Sequence, residues 1–276
     1  MAQTGQMTQE ERQRLMQEQQ QRIKDVMLQI KNRIVVFSGK GGVGKTTVAV
    51  NLAYALAKDS GQVGLLDADI TGPNVPKMVG VSGAPQAKAG KIVPHDCAGI
   101  KVVSIASMIP AGTPVIWRGP LRSKALDQLL GDVDWGKLEF LITDLPPGTG
   151  DEVLTITQRT GPQMAIIVTT PQEMSLIDAH RATNMAKKME VKNIGIVENM
   201  SGFVCPNCGK EIDLFGAGGG ERKAKELGVD FLGKIPIDIE ARRGGDEGRP
   251  IILSDDKAPI SQAFFKLAAT VDEILR

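Results

Sequence analysis

The sequence predicts an α/β fold: a doubly wound, mostly parallel sheet with helices on both faces. Two observations carry that reading. Short apolar runs of strand length recur along the chain and alternate with longer segments of helical pattern. Several of those runs end in an aspartate or a glycine-rich turn, as strands do at the ligand-facing edge of an open α/β sheet. The chain has 276 residues, 42% of them hydrophobic, and no Pro/Gly/Ser-rich linker divides it. That is enough for one large core.

Taken in order, Thr8 to Lys31 reads as a helix. Thr8 and Glu11 make a capping-box pair. Ile23, Val26, Met27 and Ile30 form a narrow apolar stripe at helical spacing. The glutamine-rich first half reads as exposed, so residues 1–30 are set apart as a helical leader, either flexible or packed as a lead-in helix. Ile34 to Phe37 then reads as a buried strand, and Thr47 to Ala57 as a helix. Between them lies Gly39-Lys40-Gly41-Gly42-Val43-Gly44-Lys45-Thr46.

Strand, glycine-rich loop, Lys-Thr and helix is the context of a P-loop. The glycines let backbone wrap a polyphosphate, and the loop amides and helix N-terminus face the anion. Lys45 supplies charge near the β- and γ-phosphates, and the Thr46 hydroxyl can ligate Mg²⁺. Gly39 to Thr47 is therefore the candidate nucleotide site, within a P-loop domain expected over residues 31–276.

Val63 to Leu66 is a second buried strand. It ends in Asp67-Ala68-Asp69, where a carboxylate either faces a ligand or caps the next turn. Ile70 to Pro76 is a turn-rich loop. Residues 81 to 99 are low in pattern, with a short hairpin beginning in Ala89 to Val93; His95 and Cys97 receive no role. Ile100 to Ile105 is a strand. Phe140 to Thr143 is another and ends in Asp144, the Walker B arrangement, in which the carboxylate accepts from Mg²⁺-bound water. Gly148 and Gly150 make the following loop mobile. Met164 to Thr169 is a strand and Glu173 to Met189 a helix, capped near Thr170 and Pro171. Ile194 to Val197 leads to Asn199, Lys234 to Arg242 follows the last strand, and Ile260 to Leu275 closes the chain as an amphipathic helix.

In an expected metal-binding insertion near residues 199–220, Cys205-Pro206-Asn207-Cys208 places two thiolates where they can hold one metal or cluster. No second CxxC exists, so one chain supplies half of a four-thiolate site. Taken alone, the motif favours a zinc knuckle. A thioredoxin-like couple fits poorly, because the flanks are not strand and helix.

The composition narrows the partners. A formal net charge of +1 leaves no electrostatic footprint for nucleic acid. No apolar run approaches the ~20 residues of a membrane span, and Asp272 and Glu273 make the last helix a poor membrane anchor. The N-terminus lacks the apolar core of a secretory signal. Three cysteines do not make a disulfide scaffold and fit a reducing cytoplasm. No nucleic-acid or membrane partner is expected.

Lys40, directly after the first loop glycine, resembles the second lysine of the deviant Walker A loop in the MinD/ParA/nitrogenase-iron-protein class; its alternative is a solvated surface lysine. The segments "LLDADITGPNVPKM", "PVIWRGPLRSKAL", "DLPPGTGD" and "ENMSGFVCPNCGKEIDLFGAGGGERKAKELGV" resemble the Mrp/ApbC family of P-loop iron–sulfur cluster carriers, over residues 31 to 275. The resemblance implies a homodimer in which Lys40 reaches the nucleotide of the facing subunit. It implies that Asp69 positions the attacking water, that Asp67 supports the Mg²⁺ shell, and that Asn199 and the Pro236 backbone read adenine. Trp117 would be an interface or core anchor, and Arg118 a phosphate or dimer contact or a solvated residue.

The implied cofactors are ATP and Mg²⁺, with one [4Fe–4S] cluster bridged by Cys205 and Cys208 of two subunits and zinc as a possible substitute. The implied function is ATP-dependent cluster transfer to apoproteins, with slow Mg²⁺-dependent hydrolysis. The eukaryotic cytosolic scaffold branch is disfavoured, since no N-terminal cysteine cluster is present. Two rivals remain: a MinD/ParA-type positioning ATPase, which gives the CxxC no task, and a structural zinc-bridged dimer.

Overall fold

Strand β1 (Ile30–Phe37) is buried on both faces, with Ile34, Val35, Val36 and Phe37 all fully inaccessible. Ile34 and Val36 enter one core while Val35 and Phe37 enter the other, so the strand needs helices above and below. The computed structural model describes residues 8–108 and 119–276. Trp117 and Arg118 lie outside the described residues.

In chain order the other strands are β2 (Val63–Asp67), β3 (Gln86–Lys88), β4 (Lys91–Val93), β5 (His95–Cys97), β6 (Ile100–Ser104), β7 (Leu138–Asp144), β8 (Met164–Thr169), β9 (Asn193–Val204), β10 (Glu211–Ile212) and β11 (Asp230–Ile237). The helices are α1 (Gln9–Met27), α2 (Lys45–Ser60), α3 (Val75–Val79), α4 (Gly119–Gly131), α5 (Asp151–Thr160), α6 (Glu173–Lys188), α7 (Gly219–Leu227), α8 (Ile239–Glu247), α9 (Ile251–Ser254) and α10 (Pro259–Leu275).

The main sheet runs β10–β9–β8–β1–β7–β2–β6–β5, with β11 also on β9. Every pairing from β9 across to β6 is parallel, as is β9 with β11. β5 and β10 add antiparallel edges. The mostly parallel α/β sheet read from the sequence is the one observed. One core lies between the sheet and α2, α3, α9 and α10; the other lies between it and α1, α4, α5, α6 and α7. The low-pattern region holds a hairpin of β3 and β4, turning on Ala89 and Gly90 at φ 51° and 77°.

Several boundaries differ from the sequence reading. The Thr8 capping box is present: Glu11 N–H donates to Thr8 Oγ1 at 3.2 Å and Thr8 N–H to Glu11 Oε2 at 2.8 Å. The helix stops at Met27, however, and Ile30 starts β1 opposite Leu138. The sheet captures Ile30, because a strand position buried between two layers outweighs one more residue on a helix stripe. Ile23, Val26 and Met27 are buried in the second core, while Leu15 and Met16 are exposed. β9 runs on to Val204 and β11 to Ile237, so Asn199 and Pro236 lie within strands rather than after them.

α3 and α8 meet backbone to backbone. Gly80 and Gly248 close these two helices in the left-handed region, at φ 74° and 75°. A Cβ on Gly248 would stand 2.5 Å from Gly80 Cα. Among the described residues, no helix is long and apolar enough to cross a membrane.

Candidate nucleotide site and cysteine excursion

The parallel register brings the functional residues to one edge of the sheet. Asp67, ending β2, pairs with Asp144, ending β7, and Asp144 pairs in turn with Val36 just before the loop after β1. That loop leads into α2 through Gly44, whose φ of 81° is the left-handed conformation glycine adopts freely. A Cβ there would also stand 2.1 Å from Asn199 Nδ2. At Gly39 a Cβ would stand 2.2 Å from the Asp178 carbonyl oxygen, so α6 packs directly on the loop entry. No side chain caps the N-terminus of α2, and its first turn carries no acid. The Lys45, Thr46 and Thr47 amides are therefore left as donors for an anion.

Lys45 is buried and held by two carboxylates. Its Nζ donates to Asp144 Oδ1 at 2.7 Å and lies 3.7 Å from Asp69 Oδ2. Thr46 Oγ1 donates to Asp144 Oδ2 at 2.7 Å. Asp67 accepts from the Ser104 hydroxyl at 2.8 Å and from the Asp69 and Val75 amides at 3.2 and 3.3 Å. Asp69 accepts from the Thr71 hydroxyl at 2.7 Å and from the Gly72 amide at 3.1 Å, which holds the start of the loop after β2. Burial, reinforced by the Asp144 charge, pushes the Asp67 carboxyl up to about 7. Burial also raises Asp144, against the opposing pull of Lys45. A cluster of three carboxylates and one lysine in low dielectric stores repulsion that added positive charge relieves. Lys40 is half-buried and makes no ion pair among the described residues.

Lys45, Thr46 and Asp69 line one wall of a cavity of about 720 Å³, with Asp144 behind them, and Asn199, Met200, Phe215, Pro236 and Arg242 bound it further on. Asn199 Nδ2 donates to the Val43 carbonyl at 2.9 Å, which fixes the amide and turns its oxygen away from the loop. The switch-like loop after β7 is tied to the P-loop entry by Gly148 N–H, donating to Ser38 O at 2.8 Å.

Past Glu198, where the pairing with β8 ends, residues 199–218 extend the edge of the sheet as an excursion. β9 continues outward to Val204, turns through the cysteines, and returns as β10, with Glu211 opposite Val204 and Ile212 opposite Phe203. The turn is closed by Cys205 N–H to Lys210 O and Gly209 N–H to Cys205 O, both 2.9 Å. Backbone amides of Cys208 and then Asn207 point at the Cys205 sulfur and hold its pKa below the ordinary thiol value. A thiol so placed is a ready thiolate ligand. Cys205 is half-buried and Cys208 exposed. Among the described residues no group of three or more potential metal ligands forms.

Comparison with known proteins settles the family. The model of the ParA group, NUBPL iron-transfer P-loop NTPase, matches residues 29–272. The chain belongs to this family. It is 55% identical over 261 residues to an iron-sulfur cluster carrier protein of Pyrococcus horikoshii, covering 90% of this chain and 88% of that one. It is 53% identical over 268 residues to an iron-sulfur cluster carrier protein of Methanocaldococcus jannaschii, at 94% and 90% coverage. Among solved structures it resembles a nucleotide-binding protein of Archaeoglobus fulgidus in complex with ADP. That match has a TM-score of 0.76 and 37% identity, covering 89% of this chain and 96% of the other. It also resembles the septum site-determining protein MinD of Pyrococcus horikoshii, complexed with Mg-ADP, at TM-score 0.68, 26% identity and 88% and 96% coverage.

Against this ParA/NUBPL frame, the residues singled out in the sequence fall into two groups. Lys45, Thr46, Asp69, Asp144, Asn199 and Pro236 share one cavity wall or its immediate partners, whereas Cys205 and Cys208 stand outside it on the excursion. Sequence reasoning passed over Ser104, Glu198, Met200 and Phe215. Glu198 had a signal, an acid inside an apolar strand; Ser104 had none.

Proposed function

We propose that this chain is an ATP-dependent iron–sulfur cluster carrier that binds a cluster, transfers it to apoproteins and hydrolyses ATP. One observation supports the reading: a glycine-rich loop with a buried Lys45–Asp144 pair and a two-thiolate turn grow from the same strand system of a family whose relatives are named cluster carriers. The donors of the phosphate end suit Mg²⁺. The Thr46 hydroxyl and the Asp144 and Asp67 carboxylates are hard oxygen ligands, and the excess of buried negative charge favours a divalent cation.

In this reading Lys45 leaves Asp144 for the β- and γ-phosphates, and Thr46 and Asp144 would hold Mg²⁺, which would neutralise charge on the phosphate oxygens. Asp69 orients a water, whose oxygen attacks the γ-phosphorus as the bond to the β–γ bridging oxygen breaks. Lys40 completes the charge neutralisation from across a dimer. The loop amides from Gly39 to Thr47 hold the phosphates. The Asn199 amide, its N–H engaged by Val43, presents an acceptor to the amino group of adenine, with the Pro236 backbone opposite. The cluster is cargo. Four thiolates are needed, each chain offers Cys205 and Cys208, and a homodimer supplies the set about a two-fold axis.

The test is metal analysis of anaerobically prepared protein of mass fixed by ultracentrifugation. Iron and sulfide at about four each per dimer support the bridged cluster. Zinc in their place supports a structural zinc-bridged dimer, which the amide-lined Cys205 turn also suits. A fully loaded monomer defeats the shared site.

A further inference from the structure

Glu198 joins the two motifs. It is fully buried on β9, one residue before Asn199. Its carboxylate gathers donors from both legs of the excursion. The Ser201 hydroxyl, on the outgoing leg, donates to Oε1 at 2.5 Å. Gly218 N–H donates to Oε1 at 3.0 Å and Gly220 N–H to Oε2 at 2.5 Å, both on the returning leg. The same glycines open α7, so the carboxylate sits at a helix N-terminus, where negative charge is favoured. Glycine is what allows the approach: a Cβ on Gly220 would stand 2.9 Å from Glu198 Cβ. The side chain thus ties the neck of the excursion shut.

Held at that neck, the excursion touches both sites. Asn199 and Met200 on the outgoing leg and Phe215 on the returning leg line the nucleotide cavity, while Cys205 and Cys208 occupy the turn between the legs. Met200 adopts φ 58°, a left-handed conformation uncommon for a side-chain-bearing residue. Such a backbone persists only where its surroundings over-determine it, and the Glu198 clamp on one side and the Asn199–Val43 bond on the other do so.

We propose that Glu198 is a positioning residue, clamping the excursion so that a nucleotide meeting Met200 and Phe215 alters the presentation of Cys205 and Cys208. The inference rests on the nucleotide and cluster reading above and adds the residue that links them.

The test is iodoacetamide alkylation of both cysteines in full-length, metal-free protein, read by mass spectrometry without nucleotide and with saturating Mg-ADP or a non-hydrolysable ATP analogue. Cys208 is exposed, so its labelling without nucleotide does not wait on opening of the fold. In the unaltered chain, nucleotide should change the rate at Cys205 or Cys208 by about fivefold or more. Glu198→Gln keeps the shape but turns an N–H₂ toward a glycine amide, so the returning leg loses one of its two amide bonds and the charge that strengthens the other. Its nucleotide-free rates and its affinity by calorimetry should stay within about twofold of the unaltered chain, while the nucleotide response disappears.

Full retention of the response overturns the proposal. So does a rise in nucleotide-free labelling together with loss of the response, which marks a purely structural role. Where Glu198→Gln does not fold, Ser201→Ala releases only the outgoing leg, and an undiminished response there overturns the proposal equally. An unaltered chain that binds nucleotide without any response overturns this inference alone. A chain that binds no nucleotide overturns the functional reading beneath it.

Discussion

The phosphate loop and the cysteine excursion are built on opposite terms. At the loop, Lys45, Asp69 and Asp144 are buried and partnered within the chain. At the excursion, Cys208 stands in solvent, and Val204, Leu214 and Phe215 on the two legs expose apolar surface. One region pairs its lysine with carboxylates inside the chain; the other leaves a thiol and apolar side chains in solvent. The contrast separates a site whose side chains are fixed within one chain from one that two chains are proposed to complete together.

Lys45→Ala breaks the first region hardest. Removing the cation that pairs with Asp69 and Asp144 should lower ATP turnover by about a hundredfold or more, measured by phosphate release. Iron and sulfide content should stay at the level of the unaltered chain if the regions are as separable as their construction implies. The converse is the double variant Cys205→Ala/Cys208→Ala. It should lose its iron entirely while nucleotide affinity changes by no more than the about fivefold coupling expected through Glu198; calorimetry and metal analysis read the two together.

Asp69→Asn is milder. It should leave nucleotide bound and slow single-turnover hydrolysis by about a hundredfold, and an unchanged rate removes Asp69 from the water-orienting role.

The smallest expected effect concerns pH. Asp67 has its carboxyl raised from 3.8 to about 7 in the folded chain. Between those values the folded state holds a proton that the unfolded state has released, so stability falls as pH rises through that window and levels off above it. In nucleotide-free protein, Asp67→Asn should flatten this decline, a difference of ~2–5 °C in Tm by calorimetry. A decline as steep as that of the unaltered chain assigns the slope to other groups.

Much of the phosphate region was legible because its chemistry is local in sequence. The strand before the loop, the glycines, Lys45 and Thr46 are consecutive, and Asp67 and Asp144 each end an apolar run. The excursion was legible only as a spacing of cysteines. Its return strand is two residues long, Glu211–Ile212, with both residues exposed, so no alternation of apolar and polar residues could announce it. Helix α7 begins in Gly218-Gly219-Gly220, composition that reads as loop; its glycines are there because α6, Pro171 and Glu198 press on the helix start. Ile30 is ambiguous in sequence because an isoleucine fits both a helix stripe and a strand, and only the pairing with Leu138 decides.

The Gly80–Gly248 junction has a consequence for how this chain tolerates change. Most close contacts in a core can absorb an enlargement on one side by a reduction on the other. Here both partners are already the smallest residue, both sit at positive φ, and the contact is between main chains. No second substitution at the pair can rescue a methyl group added to either member; relief must come from displacing a helix. Because α3 leads from the loop that Asp69 holds, and α8 lines the nucleotide cavity through Ala241 and Arg242, that displacement reaches the ligand wall. Accumulated mutation therefore has no neutral path through these two positions.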